Sequence, residues 1–162
     1  MDIESHKEDV IAALGYLCLG SRFKRLGERL QTDTLGIVSK RSGTVLPGQL
    51  PFLAALDRLG PLTIGEMAQA VGISQPGATK SLLQLIKKGL ITVKKSHEDR
   101  RVRVAMLTTA GSELVAQSKA DVWVEVEAAA RALCADLNGT ILEQLETIEK
   151  RLGEKPLHRW SK

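Results

Sequence analysis

The stretch that decides the fold is TIGEMAQAVGISQPGATKSLLQLIKKG, residues 63–89. Thr63 and Glu66 form a T-x-x-E capping box at its start, which predicts the beginning of a short helix. Gly72 can adopt the positive φ that ends this helix, and Ser74 can then cap a second one. Two short helices joined by a tight, glycine-containing turn are the pattern of a helix-turn-helix.

The second of these helices has two chemically different faces when it is projected at 100° per residue. The apolar face is expected to be buried and consists of Ala78, Leu82, Leu85 and Ile86. The opposite face is small, then polar, then basic: Gly77, Lys80, Ser81, Gln84, Lys87 and Lys88. A helix in the major groove of DNA needs this order, because small residues allow close approach, polar side chains meet base edges and lysines meet phosphates. An ordinary amphipathic surface helix is the alternative.

Two β-rich runs follow, ITVKK at 91–95 and VRVAML at 102–107, with the charged segment SHEDRR between them. We expect a hairpin in which Val93 faces the core and the apolar residues of the second run alternate. A helix-turn-helix followed by a basic β-hairpin is a winged helix. Arginines on such a wing can reach the narrow minor groove of DNA, where the negative potential is enhanced.

The positive charge of the chain is concentrated in this region. Residues 74–103 carry eight basic and two acidic side chains, a net charge of +6, whereas the rest of the chain has a net charge of −2. Local positive charge is the footprint of a nucleic-acid site. A solvated surface face would show the same cluster.

Helical patterns precede the helix-turn-helix. Apolar residues recur at three- and four-residue steps over 6–32, which predicts one long helix. TDTLGIVSKRSGTVLPG, at 32–48, has turn formers and weak periodicity and is predicted to be a loop. Pro47 can begin a second helix, which is expected to end near Gly60.

Helical patterns also follow the hairpin. With Thr108 or Thr109 as its N-cap, a long helix is predicted over 110–133, and Asn138 or Thr140 can cap a last one. These flanking helices are too long and too apolar to cover only a small winged-helix core. We therefore expect a C2 dimer.

Composition narrows the remaining classes of protein. A chain of 162 residues fits one domain. MDIESHKEDV has no basic region before an apolar run, so no signal peptide is expected, and no stretch is long enough to span a membrane. Cys18 and Cys134 have no metal-type spacing. Together these features predict a cytoplasmic protein with reduced thiols.

An enzyme is not expected. His6, His97 and His158 have no metal-ligand spacing to one another or to a cysteine. There is no G-x-S-x-G sequence and no glycine-rich phosphate loop. We predict neither a cofactor nor a bound metal.

One signature gives the chain a family resemblance. Asp99-Arg100-Arg101, followed by Leu107-Thr108 and Gly111, matches the pattern D-x-R-x-x-x-x-x-L-T-x-x-G of the MarR family, the multiple-antibiotic-resistance regulators. ISQPGATKSLLQLIKKGLI, at 73–91, resembles the recognition helix of that family. Thr79-Lys80 stands where members commonly have Thr-Arg.

The resemblance implies a mainly α fold with a small β-hairpin wing (α+β). It is a winged helix-turn-helix with long N- and C-terminal dimerisation helices. Residues 1–162 would form a single MarR-type domain, with a DNA-binding lobe at 46–109 and a helical dimerisation region at 1–45 and 110–162. It further implies a homodimer that binds a pseudo-palindromic DNA operator and represses transcription.

The family pattern also implies which residues contact DNA. Arg101 would be the minor-groove arginine, and Asp99 would help to orient the wing, with Arg100 and Arg103 beside them. From the recognition helix the pattern gives Ser74, Gln75, Gly77, Thr79, Lys80 and Ser81, to which the projection above adds Gln84 and Lys88. Lysine at position 80 lacks the guanidinium fork that reads guanine with two hydrogen bonds.

Many proteins of this family release DNA when a small phenolic or aromatic carboxylate ligand binds. The candidate effector-binding residues here are Tyr16, Arg22, Arg25 and Trp123. One alternative is a redox-sensing regulator that uses Cys18, although a thiol in an apolar helical run tends to be inert. Another is a winged helix that binds a protein partner.

Overall fold

The computed structural model describes residues 8–40, 45–96 and 101–160. It has two compact units, the first ending at Trp123 and the second beginning at Val124. In chain order, the first unit contains α1 (Val10–Ala13), α2 (Leu19–Ser39), α3 (Leu50–Leu59), α4 (Ile64–Val71), α5 (Gln75–Lys87), β1 (Ile91–Lys95), β2 (Arg103–Leu107) and α6 (Thr109–Ala120). Helix α7 (Val122–Leu133) begins in the first unit and ends in the second, which also holds α8 (Ile141–Glu154). Short 3₁₀ turns lie at Gly15–Cys18, Pro47–Gln49 and Leu157–Arg159.

The helix-turn-helix forms as its capping signals predict. The backbone N–H of Thr63 donates to Glu66 Oε2 at 2.7 Å, and the N–H of Glu66 donates to Thr63 Oγ1 at 3.2 Å. The hydrogen bond that the Glu66 carboxyl accepts from the Thr63 N–H holds its pKa below the ordinary value, and the Thr63 side chain lowers it further. Gly72 ends α4 in the left-handed conformation at φ +73°, and Ser74 Oγ accepts from the N–H of Gly77 at 3.4 Å.

The core of the first unit is mainly aliphatic and lies beneath α3, α4, α5 and the hairpin. The apolar face predicted for α5 is confirmed, because Ala78, Leu82 and Leu85 are buried and Ile86 packs partly buried against the core. The largest fully buried side chains are Phe52, Leu53, Met67, Leu85, Ile91 and Val115. Burying a side chain of this size contributes about 1.5–3 kcal/mol, so the core holds α5 and the hairpin in fixed positions.

The hairpin is antiparallel, with Ile91 opposite Leu107 at its base and Lys95 opposite Arg103 near its tip. Leu62 extends it by one isolated bridge, in which its N–H and C=O bond to Ala105 at 3.0 and 2.7 Å. This pairing gives β2 a neighbour on each side and keeps the base of the wing on the core.

The prediction that Val93 faces the core is wrong. Val93 is opposite Ala105, so both side chains are on one face of the hairpin. Ala105 is buried, whereas Val93 is 39% exposed. The core covers this face at Ile91 and Ala105 but does not cover Val93, which is two residues nearer the tip than Ile91.

The flanking helices differ from the prediction at three places. The N-terminal helix is broken, because Gly15 adopts φ +55° between α1 and the rest. Helix α2 then continues through the first part of the predicted loop to Ser39, since buried Val38 anchors its last turn. The predicted helix over 110–133 is interrupted at Asp121, whose φ of −133° and ψ of −83° are not helical. Residues 41–44 of the predicted loop lie outside the described residues.

The N-caps of α6 and α8 are among the residues that the sequence offers for this role. The N–H of Gly111 donates to Thr108 Oγ1 at 3.0 Å, which makes Thr108 rather than Thr109 the N-cap of α6. Thr140 precedes α8 as its N-cap. Within the described ranges, no helix combines the length and the apolar character needed to cross a bilayer.

Candidate nucleic-acid interface

The outward face of α5 is a row with two lysines. Pro76, Lys80, Leu83 and Lys87 succeed one another at helical spacing and are all exposed. Leu83 is 60% exposed, and the sequence analysis did not include it among the candidate residues. Measuring the projection from the buried residues Ala78, Leu82 and Leu85 would have found this row, because it lies opposite them on the helix.

Two polar side chains at the start of α5 form hydrogen bonds within the helix. Ser74 caps the helix through Oγ, and the hydroxyl of Thr79 donates to the carbonyl oxygen of Gln75 at 2.9 Å. Thr79 is half-buried, whereas Gln75 is exposed. A Cβ at Gly77 would lie 3.3 Å from Ser74 Oγ, so the absence of a side chain there leaves room for the cap.

Gln84 and Lys88, two of the predicted DNA-contacting residues, are on the flank of α5 and bond to Gln49. Gln49 Nε2 donates to Gln84 Oε1 at 2.7 Å, and Lys88 Nζ donates to Gln49 Oε1 at 3.1 Å. Gln49 is only 3% exposed and had no role in the sequence analysis. Nothing in the local sequence marks it, because its partners are 35 and 39 positions away.

Ser81 and Gln84 also line a cleft with a volume of about 410 Å³. Its other walls are Glu28, Gln31, Thr32 and Leu35 of α2 and residues 46–49. Ser81 is half-buried there. The structure therefore separates the predicted contact residues into Lys80 on the outward row and Ser81, Gln84 and Lys88 on a flank beside this cleft.

The wing presents basic side chains from both strands. Lys94, Lys95 and Arg103 are exposed, and Arg101 is exposed just before β2. Lys95 and Arg103 are directly opposite each other in the register. Like charges in that position destabilise a hairpin. The predicted wing residues Asp99 and Arg100 lie outside the described residues.

The four candidate effector residues have different surroundings. Tyr16 is 92% exposed and Arg22 is exposed. The guanidinium of Arg25 is already engaged, since Nη1 lies 2.9 Å from Asp9 Oδ1, and its hydrogen bond lowers the pKa of that carboxyl. Trp123 packs partly buried against the core, and its Nε1 has no hydrogen-bond partner among the described residues. None of these residues lines the cleft beside α5.

The two cysteines are free thiols, and both are half-buried. Cys18 is at the end of the first 3₁₀ turn. Cys134 lines a pocket of about 490 Å³ in the second unit, together with Arg131, Ile141 and Leu142. In the part of the chain that the structure describes, no three His, Cys, Asp or Glu side chains are grouped so that they could hold a metal ion.

The sequence pattern of the MarR family matches residues 47–102, which include the helix-turn-helix and the first strand of the wing. Over these residues the chain is similar to the MarR family. The resemblance drawn from the wing signature and the recognition helix is confirmed. MarR-family proteins are transcription regulators and not enzymes, which agrees with the prediction that this chain is not an enzyme.

Individual relatives are also similar to part of the chain. An uncharacterized HTH-type transcriptional regulator of Staphylococcus aureus (strain Mu50) is 39% identical over 67 residues, which are 41% of this chain and 46% of that protein. The same figures hold for a regulator of strain N315. The chain thus spans less than half the length of these two relatives.

Solved structures share the fold over most of the chain. A cysteine-to-serine mutant of Escherichia coli MarR in complex with operator DNA has a TM-score of 0.69 at 18% identity, covering 90% of this chain and 99% of that one. The transcriptional repressor CouR, bound to a 23-mer DNA duplex, has a TM-score of 0.61 at 26% identity and covers 84% and 90%. BpsR of Bordetella bronchiseptica has a TM-score of 0.60 at 18% identity and covers 80% and 91%. The mainly helical winged-helix fold predicted for the MarR-family domain is therefore confirmed.

Proposed function

We propose that this chain is a sequence-specific, DNA-binding transcription regulator that represses from a pseudo-palindromic operator as a homodimer. The observation that carries the proposal is the opposition of Lys95 and Arg103 on the wing. Two cations held face to face raise the energy of the free hairpin, and a polyanion relieves that repulsion. Lys80 and Lys87, on the outward row of α5, supply further positive charge to the same lobe.

In this proposal α5 enters the major groove with its outward row against the DNA. Lys80 then lies near base edges, Leu83 can contact a thymine methyl group, and Lys87 meets a phosphate. Arg101 and Arg103 of the wing reach the adjacent minor groove, whose negative potential attracts guanidinium groups. Gln75 and Gly77 lie at the N-terminal end of α5, where a recognition helix comes closest to the bases.

Two of the solved structures that share the fold support a DNA target. The Escherichia coli MarR mutant is in complex with operator DNA, and CouR is a repressor bound to a DNA duplex. CouR is 26% identical to this chain, so its repressor activity is the basis for proposing repression here. A regulator of chromosomal DNA would work in the cytoplasm.

Exposed apolar side chains support the homodimer. In the first unit they follow α1, the adjoining turn and α2, and they include Leu14, Leu17, Phe23, Leu26 and Leu30. In the second unit they include Leu133, Leu142, Ile148, Leu152 and Leu157. Runs of exposed apolar residues of this extent mark association surfaces, and a second copy of the chain would cover both.

We further propose that a small aromatic carboxylate or phenol relieves operator binding. BpsR gives a precedent, because its DNA binding is regulated by 6-hydroxynicotinic acid. Of the candidate residues, Arg22 and Tyr16 are accessible to such a ligand, whereas Arg25 would have to leave Asp9. A ligand could also provide the acceptor that Trp123 Nε1 lacks among the described residues.

The proposal is tested by a competition experiment with the full chain. A labelled duplex from the region upstream of its own gene is bound and then challenged with unlabelled copies of the same duplex or a shuffled one. We expect the shuffled duplex to compete at least about a hundredfold less well, since specific binding usually exceeds non-specific binding by a larger factor. Equal competition by both duplexes would contradict the proposal. Analytical ultracentrifugation of the same sample tests the dimer, and added salicylate tests the effector.

A further inference from the structure

Gln49 is a buried amide at the junction between the Pro47–Gln49 turn and α5. Among the described residues it is the one buried polar residue, with 3% of its surface exposed. It forms three hydrogen bonds, and two of them go to side chains of the recognition helix and the residue that follows it. A buried polar group that is hydrogen-bonded to several side chains restricts the orientation of those side chains.

The chemistry of these partners determines which way the amide of Gln49 points. Its Oε1 accepts from the backbone N–H of Leu46 at 3.2 Å and from Lys88 Nζ at 3.1 Å. Both of these groups can only donate. The amide oxygen must therefore face them, and Nε2 is left to donate to Gln84 Oε1 at 2.7 Å. The reverse orientation of Gln49 would set its NH₂ group against two donors.

The same logic extends to Gln84, whose carbonyl oxygen faces Gln49. Its NH₂ group is on the other branch of the amide, and the side chain as a whole is exposed. The orientation of the Gln84 amide is thus fixed by a chain of hydrogen bonds. The chain begins at the Leu46 N–H and Lys88 and passes through Gln49.

We propose that Gln49 is a positioning residue that makes Gln84 a hydrogen-bond donor toward DNA. This inference rests on the proposed function, because it assumes that α5 reads the major groove and that the exposed side chain of Gln84, on the flank of α5, reaches a base edge. An NH₂ donor matches guanine N7 and O6 and thymine O4. A glutamine free to rotate could instead offer both edges of its amide to adenine N6 and N7. Gln49 would therefore influence sequence preference without touching the bases.

The substitution Gln49→Glu separates this role from a merely structural one. Glutamate has only acceptors, so it can still satisfy the Leu46 N–H and pair with Lys88. Gln84 must then turn its NH₂ group inward, toward the new carboxylate. The carbonyl oxygen of Gln84 then faces outward. An outward acceptor matches the amino groups of adenine N6 and cytosine N4. The preferred base next to Gln84 should change from guanine or thymine to adenine or cytosine.

The experiment selects bound duplexes from a randomised library with the full chain, using wild type, Q49E, Q84A and the double variant. We expect Q49E to change relative affinity at one base pair in each half-site by about tenfold, the typical weight of a base-edge contact. No change should remain when Q84A is also present, because the effect passes through Gln84. Circular dichroism and a melting curve establish that each variant is folded.

Gln49→Leu is the second variant, in case the buried carboxylate prevents folding. Leucine forms no hydrogen bond, so Gln84 can rotate and the preference at that base pair should flatten without reversing. A preference unchanged in a folded Q49E or Q49L protein would overturn the inference, as would a change that persists in the Q84A background. A wild type without any sequence preference would overturn the proposed function first. Slow exchange of the Gln49 side-chain amide protons in NMR spectra would then show that the hydrogen-bond chain exists without DNA readout.

Discussion

Lys95 and Arg103 are directly opposite each other in the antiparallel register of the wing. Cross-strand neighbours on one face are close enough for their charges to interact, and like charges in this position are destabilising. No carboxylate among the described residues forms an ion pair with either of them. The hairpin thus keeps an arrangement that weakens it as a free structure and that favours binding to a polyanion.

Lys95→Glu should therefore have opposite effects on stability and binding. The hairpin gains an opposite-charge pair, so the free energy of unfolding should rise by about 0.2–1 kcal/mol. Binding to DNA should weaken, because a cation near the backbone is replaced by an anion. Urea unfolding and fluorescence anisotropy measure the two effects. Lys94→Glu is the control, since its cross-strand partner is Val104 and no comparable gain in stability is expected.

Arg101→Ala tests the minor-groove role of the wing. Loss of this exposed guanidinium should weaken operator binding by about 1–3 kcal/mol and leave the proposed dimer intact. Arg151→Ala removes the same charge from exposed α8 and should leave affinity nearly unchanged. Wild-type affinity in the Arg101 variant would remove this residue from the interface. Titration of the upstream duplex, with sedimentation as a check on the dimer, measures both variants.

Lys80 and Lys87 are seven positions apart on the same outward row, and the proposal gives them different roles. Lys80→Ala should alter which bases are preferred, because the proposal places its ammonium group near base edges. Lys87→Ala should weaken binding to all duplexes about equally and reduce the salt slope by about one unit. Library selection and salt titration distinguish these outcomes. An unaltered preference in the Lys80 variant would exclude this residue from base readout.

Gly111 tests how the wing is held on the core. A Cβ at this position would overlap the carbonyl oxygen of Leu90, which is backbone and cannot move aside. Leu90 O also accepts from the N–H of Thr108 at 3.1 Å. Gly111→Ala should lower the free energy of unfolding by about 1–3 kcal/mol.

Gly153→Ala is the matched control for this substitution. Gly153 is inside α8, and a Cβ there would meet nothing within 4 Å. The same chemical change should therefore raise stability by about 0.5–1 kcal/mol, because alanine favours a helix over glycine. Chemical denaturation of both variants measures the difference. Equal behaviour of the two would contradict the close approach of Gly111 to Leu90.

The parts of the fold that the sequence predicts correctly are those determined within a few residues. The capping box of Thr63 and Glu66, the left-handed Gly72 and the Ser74 cap each need only neighbours three or four positions away. The buried face of α5 follows from helical spacing alone. The wing signature also identified the family, because its residues have fixed spacing.

The features that the sequence did not predict depend on contacts between distant segments. Gln49 meets Gln84 and Lys88 only after the chain has folded. Ala105 is buried whereas Val93, opposite it, is outside the core, and this difference depends on which distant elements cover the hairpin. The helix breaks at Gly15 and Asp121 interrupt apolar patterns that would otherwise continue, so periodicity alone could not locate them.

The central claim is that the lobe formed by α5 and the wing binds a specific DNA sequence. It is tested most directly by measuring affinity for the upstream duplex and for an unrelated duplex of equal length over a range of salt concentrations. The account predicts tighter binding to the upstream duplex at every concentration, with log K falling steeply as log salt rises, because several phosphate contacts release counterions. Equal and weak affinity for both duplexes would contradict it and would reduce the basic lobe to a general polyanion surface.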